Sequence, residues 1–461
     1  MSTRPDTAVV FAPTVVRTPA IVTLTVWVWR LLAGLVRLVW RHPVACLLVS
    51  ATGAGVYVLG VQRTAAAWLA VWFALAAWAL WRRAAFLRWV GYPVLAWARW
   101  LGLYRRKWRG VMAISGLAGS LRGRLFLPDL VKVRCDGRSD TVMVRMLSGQ
   151  AVEDFTDRSA NLAHGFGAVR VRVTCPRPGW VCLVFPRGDV LAAVLGARPI
   201  PALASVGPVE IGLAEDGSVF RLQVHGTHIL IAGSTGAGKG SWLWGIVRGL
   251  LPARAAGIVQ LWGLDSKRME LSFGRELFTE YAATPEQCAE LLERAVRLMQ
   301  ERADRYAGVR RSHVPTTADP FVLVVVDEVA FLTAYQPDRG LKARIGAALA
   351  TLTTQGRAVG VGVVATLQDP RKEVLSIRNL FPDKIALRLD EPGQVDMVLG
   401  DGARDRGALA DQIARDPDDP SVGAGEGFVR LENSPEPVRV RAGFVSDLDI
   451  REMVGRFGGR S

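Results

Sequence analysis

Hydrophobic residues run without a charge over 43–61 and again over 65–81, with only Gln62, Arg63 and Thr64 between the runs. Each run approaches the roughly 20 residues that cross a bilayer core, so the pair predicts a tight transmembrane helical hairpin. The flanking stretches 21–40 and 84–104 are apolar too, but Arg30, Arg37, Arg88 and Arg99 interrupt them among many tryptophans. That mixture predicts helices lying in the headgroup region. Beyond residue 110 the pattern becomes globular. A helix is expected around 153–164, alternation over 169–173 predicts one strand and 180–185 another after a Pro-Arg-Pro-Gly turn, and the Pro-rich passage 186–208 reads as a linker. From there strands at 229–231, 258–264, 321–326 and 361–365 alternate with helices from about Lys239 and over 285–306. Such alternation predicts a parallel sheet covered by helices on both faces. The Gly-rich, acidic stretch 390–426 is expected to form surface loops around a short helix.

Charge changes the reading of the first quarter. The 461-residue chain has a net charge of +15, yet residues 1–124 hold 16 Lys and Arg against one acid, Asp6, and the remainder carries 41 of each sign. The basicity therefore belongs to the flanks of the apolar runs and does not mark a nucleic-acid face on the rest. Arg30, Arg37, Arg41 and His42 lie on one side of the hairpin and a longer basic series from Arg82 to Arg109 on the other, while the turn offers only Arg63. The positive-inside bias then places both termini in the cytoplasm and the chain as a multi-pass protein of the plasma membrane. The first 20 residues lack the short apolar run of a cleaved signal. Five cysteines without a CxxC or Cys/His spacing read as core thiols in a reducing compartment. The expected organisation is a membrane region over 1–110, a small α+β domain with its linker over 111–202, and a motor domain over 203–461.

The chemistry begins at Gly233-Ser234-Thr235-Gly236-Ala237-Gly238-Lys239, between a strand and a helix. Glycines let the backbone wrap phosphate, the helix N-terminus adds positive potential, and Lys239 reaches the outer phosphates. This is a P-loop for ATP with Mg²⁺. The Ser or Thr that ordinarily follows the lysine to hold Mg²⁺ is missing: Gly240 stands there, with Ser241 next, so either Ser241 serves after a small shift or water takes the position. The apolar strand 322–326 ends in Asp327-Glu328, which puts two carboxylates at the same sheet edge. Asp327 is the expected metal residue and Glu328 the group that orients or deprotonates the attacking water. Gln368, at the next strand end, is placed to sense the γ-phosphate. The helix 285–306, with Leu291, Leu292, Ala295 and Met299 at helical spacing, is expected to pack on the sheet without chemistry.

These residues resemble the FtsK/SpoIIIE DNA translocases. Asp265-Ser266-Lys267-Arg268-Met269-Glu270-Leu271 is similar to their DPKxxEL segment, Gly356-Arg357-Ala358-Val359-Gly360 to GRAAG, Ala365-Thr366-Leu367-Gln368 to the ATQ strand end, 377–389 to IKxNIPxRIAFxV, and Phe444-Val445-Ser446-Asp447 to the closing FVSD. The stretch 159–185 resembles the small domain before the motor core. The resemblance implies a RecA-like P-loop NTPase motor preceded by a small α+β domain. It further implies a homohexameric ring that threads double-stranded DNA and steps by hydrolysing ATP, with no other small-molecule substrate. It also implies an arginine acting on the neighbouring subunit's site, for which Arg357 is the candidate; the family's later basic residue aligns with Lys384, with Arg388 close by. The chain ends soon after the FVSD match, which leaves no room for an orienting winged-helix module. Together with the single hairpin, this makes it similar to the transfer proteins of actinobacterial conjugative plasmids and integrative elements. Two alternatives stay open: an ATPase component of a type VII-like secretion machine, and a chromosome-partitioning translocase.

Overall fold

A computed structural model describes residues 24–25, 27–30, 32–33, 43–121, 123–371 and 377–459. The chain divides into two compact units, Met1–Val94 and Leu95–Ser461.

In the first unit the helices Pro43–Leu59 and Val61–Trp81 pack side by side. The expected turn at Gln62, Arg63 and Thr64 is instead the first turn of the second helix; the chain reverses at Gly60, whose φ of 79° is open to glycine. Gly55 lets the helices approach, since a Cβ there would lie 3.1 Å from Thr64 Cγ2. Val61–Trp81 is long and apolar enough to cross a membrane, and it is the one such helix among the described residues; its partner, at 17 residues, is shorter. The headgroup helix expected over 21–40 lies mostly outside the described residues.

The second unit starts earlier than the boundary expected at residue 110. Tyr104, Trp108 and Met112 recur every fourth residue through a helical stretch that ends in Arg105–Ile114, and all three are buried with Phe155, Phe166 and Phe185. The buried face of this stretch, at Tyr104, Trp108 and Met112, thus belongs to the core of the small domain. A short hairpin, β1 (Gly119–Leu121) and β2 (Arg124–Phe126), follows. Strands β3 (Asp129–Cys135), β4 (Ser139–Arg145), β5 (Arg172–Arg177) and β6 (Trp180–Pro186) then form an antiparallel sheet in the order β3-β4-β6-β5. Helices Val152–Asp157 and Ser159–Gly165 bury Phe155 and Leu162 in the same core.

Asp140 lies fully buried in that domain. Arg99 donates to Oδ1; Arg187 Nε (2.6 Å) and Tyr104 Oη (2.9 Å) donate to Oδ2, and Cys135 Sγ lies 2.8 Å from Oδ1. Burial works against the charge, but the hydrogen bonds from Cys135, Arg99 and Arg187 hold the Asp140 carboxyl below its usual range. The same burial pushes the Cys135 thiol up to about 12.

Residues 187–208 do not form a free linker. Arg441 donates to the carbonyls of Leu191 (2.7 Å) and Ala192 (2.8 Å), and Arg248 Nε to that of Arg198 (2.6 Å), strapping the segment to the next domain.

That domain is built on a ten-stranded sheet of β7 (Val209–Ala214), β8 (Val219–Leu222), β9 (Ile229–Ala232), β10 (Val259–Leu264), β11 (Glu280–Ala282), β12 (Phe321–Val326), β13 (Val361–Leu367), β14 (Asp383–Leu387), β15 (Glu426–Arg430) and β16 (Val438–Ala442). Its order is β11-β10-β12-β13-β9-β14-β15-β16-β7-β8. The expected all-parallel sheet is corrected to a mixed one: β11 to β14 pair in parallel, and β15, β16, β7 and β8 extend the edge antiparallel. The parallel strands β9, β12 and β13 are buried at every position, which is why they read as unbroken apolar runs. The helix Pro285–Tyr306 begins at a capping box, Thr284 Oγ1 accepting from Gln287 N–H at 3.3 Å, and buries Leu291, Leu292, Ala295 and Met299 as its spacing predicted. The stretch 390–426 is less superficial than expected: Val395, Leu399, Ala403, Ala408 and Ala410 join the core.

Candidate nucleotide site

Strand β9 sits between β13 and β14, although β13 follows it much later in the chain. A ligand crevice opens outside the carboxyl ends of strands at such a switch point. Five neighbouring strands deliver their ends there: β10 brings Asp265, β12 brings Asp327 and Glu328, β13 brings Gln368, β9 the P-loop, and β14 Arg388. The loop is pinned from both sides, Gly233 N–H donating to Leu367 C=O (2.9 Å) and Ser234 N–H to Arg388 C=O (2.8 Å). Gly236 and Gly238 take φ of 74° and 90°. A Cβ on Gly238 would lie 2.2 Å from the Gly425 nitrogen, so the tight approach of residue 425 requires glycine there.

Thr235 and Gly236 are exposed at the crown of the loop, while Ala237 is buried. The helix Lys239–Ala255 starts at Gly238, and its first-turn N–H groups point to the crevice without intrahelical acceptors. Lys239 Nζ donates to the carbonyls of Gly233 (2.7 Å) and Ser234 (3.2 Å), folding back over its own loop. Burial lowers its pKa, opposed by Glu328 and Asp327. Arg388 Nη2 donates to Thr235 C=O at 3.0 Å, a basic contact to the loop from the same chain.

Asp327 and Glu328 lie together beside Thr366, whose hydroxyl is 3.3 Å from Asp327 Oδ1 and accepts Glu328 N–H at 2.8 Å. Glu328 has φ of 54°, an uncommon conformation for a side-chain-bearing residue, and is 3% exposed. Its Oε1 accepts Gln368 N–H at 3.3 Å, and its Oε2 has Lys267 Nζ at 3.5 Å but no hydrogen bond. The Gln368 side chain is exposed at the crevice edge. The Asp327 carboxyl is pushed up to about 7 by burial and by the neighbouring Glu270 and Asp265.

Asp265 is fully buried and closes the turn after β10, accepting the N–H groups of Leu271 and Ser272 at 3.0 Å and of Met269 at 3.3 Å. That turn carries Lys267 toward Glu328 and Glu270 toward the P-loop helix. Glu270 Oε1 accepts Trp244 Nε1–H at 3.0 Å, and burial raises the carboxyl's pKa. Sequence reasoning named this stretch without assigning Glu270; its signal was the glycine at 240, which makes room for it. Ser241 is buried on the helix.

Arg357 is not brought to this site in its own chain. It precedes β13, at the opposite edge of the sheet, where it pairs with Glu432 (2.6 Å) and donates to Gly226 C=O (3.0 Å). Lys384 is the second residue of β14 and is buried; burial, then Arg430 and Arg378, lower its pKa.

The model of the FtsK/SpoIIIE family matches residues 201–410, from within the strap through the P-loop and both carboxylates to a point beyond β14. The chain carries an FtsK/SpoIIIE domain. A second family model, the actinomycete conjugal transfer protein N-terminal domain, matches residues 71–186 and so takes in the small domain. Among curated relatives, DNA translocase FtsK of Lactococcus lactis subsp. cremoris is 24% identical over 340 residues, covering 68% of this chain and 42% of that protein. DNA translocase FtsK of Streptomyces avermitilis is 24% identical over 335 residues, covering 66% of this chain and 35% of that protein. The match thus spans less than half the length of either relative. The pCW3 conjugation coupling protein TcpA, solved in monomer form with ATPγS, is 19% identical with a TM-score of 0.49, covering 76% of this chain and 98% of that one. The FtsK/SpoIIIE domain has the P-loop ATPase fold, a mixed sheet with helices, and this family binds nucleotide.

Proposed function

We propose that the chain is a membrane-anchored, ATP-driven translocase of double-stranded DNA that serves conjugative transfer. The observation that carries the reading is the convergence on one sheet edge of the P-loop 233–239, the carboxylates Asp327 and Glu328, and Gln368. The match to the FtsK/SpoIIIE family, whose curated relatives are named DNA translocases, supports the substrate, and the match to a conjugal transfer N-terminal domain supports the setting.

In this reading Gly233 to Ser241 cradle the phosphates of ATP, and Lys239 leaves the loop carbonyls to meet the β- and γ-phosphates. Asp327 faces the cation, Mg²⁺, which when bound neutralises charge on the transferring phosphoryl group. Glu328, held by Thr366 and Gln368, takes the proton of the attacking water, and Gln368 reads whether the γ-phosphate is present. Arg357, turned away from its own site, acts on the neighbouring subunit's phosphates in a homohexameric ring. The helices Pro43–Leu59 and Val61–Trp81 form a spanning hairpin in the plasma membrane, with the domains after it in the cytoplasm. The domains follow in the order membrane region, small domain and motor, the small domain taking in the chain from about residue 95 rather than from 111.

The test is ATP hydrolysis by the detergent-solubilised full chain with and without long duplex DNA, beside Lys239→Ala and Glu328→Gln. Stimulation by duplex DNA that both substitutions abolish is the expected result. Hydrolysis indifferent to DNA would overturn the DNA motor and point to a protein-export ATPase.

A further inference from the structure

We propose that Glu270 replaces the missing P-loop hydroxyl and holds the divalent cation of the bound nucleotide. The inference rests on the nucleotide reading above and deepens it. Gly240 follows Lys239 at the position where a P-loop ordinarily offers Ser or Thr to the metal. A Cβ on Gly240 would meet Glu270 Oε1 at 2.3 Å, Cδ at 2.8 Å and Oε2 at 2.9 Å. The carboxylate therefore stands where that side chain would stand, and the two exclude each other. The alternative, Ser241, lies roughly 100° further round the helix and is buried.

The placement of Glu270 is built. Trp244, one turn beyond Gly240 on the same helix and 1% exposed, donates its indole N–H to Oε1 at 3.0 Å. The turn that carries Glu270 is closed by Asp265 through three backbone N–H groups. A second observation points the same way: Glu328, at the same strand-end edge, keeps a buried Oε2 with no hydrogen-bond partner, Lys267 being 3.5 Å away. Carboxylate oxygen is a suitable hard donor for Mg²⁺, which proteins hold through one or two carboxylates together with substrate phosphates. Among the described residues no group of three or more His, Cys, Asp or Glu is arranged to hold a metal alone, so the cation is expected only together with the nucleotide.

The experiment measures ADP binding to the detergent-solubilised full chain by calorimetry, once in EDTA and once with excess Mn²⁺. Wild type is expected to bind ADP in both, more tightly with Mn²⁺. Glu270→Gln preserves the acceptor for Trp244 and should bind ADP in EDTA as wild type does, while its gain from Mn²⁺ shrinks by about tenfold or more. Gly240→Ser combined with Glu270→Ala moves the ligand back to the ordinary position and should regain that gain. A Glu270→Gln chain with the full Mn²⁺ effect overturns the proposal and leaves nucleotide binding standing. A wild type that binds no ADP in either condition overturns the nucleotide reading itself, and this proposal with it.

Discussion

Two clusters of buried charge, one in each domain of the second unit, are built on opposite plans. In the small domain a single carboxylate, Asp140, is met by Arg99, Arg187, Tyr104 and Cys135, and its pKa is held down. At the sheet edge Asp265, Glu270, Asp327 and Glu328 gather with Lys239 and Lys267 as the lysines placed against them among the described residues, and the Asp327 carboxyl is pushed up to about 7. A buried charge is tolerated when it is paired and hydrogen-bonded, so the first cluster is complete as it stands. The second has more carboxylates than lysines, an arrangement that suits the cation and phosphate chemistry proposed above. The contrast separates a brace from a working site more clearly than burial alone.

The brace should break with the largest effect. Asp140→Ala strands two guanidinium groups and is expected to destabilise the small domain by about 3 kcal/mol, read from the denaturant midpoint, with ADP affinity unchanged. If stability holds, the cluster is ornamental and the contrast fails. At the working site the loss should appear in rate. Glu328→Gln is expected to lower hydrolysis about 100-fold or more with ADP affinity kept, whereas Lys239→Ala should weaken nucleotide binding too. Glu328→Gln should not lower the melting temperature, because it removes a negative charge from a cluster with more carboxylates than cations, whereas Lys239→Ala takes away one of those cations and its hydrogen bonds to the loop carbonyls.

A third buried set gives a pH test. His228 accepts Val363 N–H on Nδ1 at 3.1 Å, and His313 lies 3.1 Å from His225. Burial, joined at His228 by Arg357, pushes His228 and His313 down to about 4. The unfolded chain, with histidine near 6.5, binds more protons between these values, so the stability these residues contribute is present above about pH 6.5 and lost as pH falls toward 4. Melting temperature measured from pH 7 to 4.5 should fall, and His313→Asn should flatten the slope.

Arg357→Ala should cost little stability. Its pair with Glu432 is half-exposed, so less than about 1 kcal/mol is expected. Hydrolysis by the assembled protein should nevertheless fall at unchanged ADP affinity, and unaltered hydrolysis would remove Arg357 as the arginine acting between subunits.

Much of this was legible in the chain itself. The runs that became β9, β12 and β13 are apolar throughout because both faces of a parallel strand are covered, and the P-loop needs its glycines wherever it occurs. Lys239, Asp327, Glu328 and Gln368 could be named because each sits at a fixed offset from such a strand. The two apolar helices were visible as well, but their turn was misplaced by a few residues: the charge at Arg63 is conspicuous in sequence, while the conformation that reverses the chain belongs to Gly60. Tyr104 and Trp108 fall within the stretch 1–110 read as the membrane region, because aromatic residues among arginines look alike at a headgroup layer and in a small core.

The sequence by itself determined the local devices: the helix starts, the strands, the phosphate loop and the absence of a hydroxyl after Lys239. Only the tertiary structure decided what lies opposite them. Pairing between distant strands put β13 and β14 on either side of β9, added the antiparallel edge, and carried Arg357 to the far side of the sheet. It also placed the Glu270 carboxylate in the space that Gly240 leaves open, a contact set by the turn that Asp265 closes. Periodicity and spacing report what a residue does to its own neighbours along the chain. Charge balance and occupied volume depend on residues that only folding brings together.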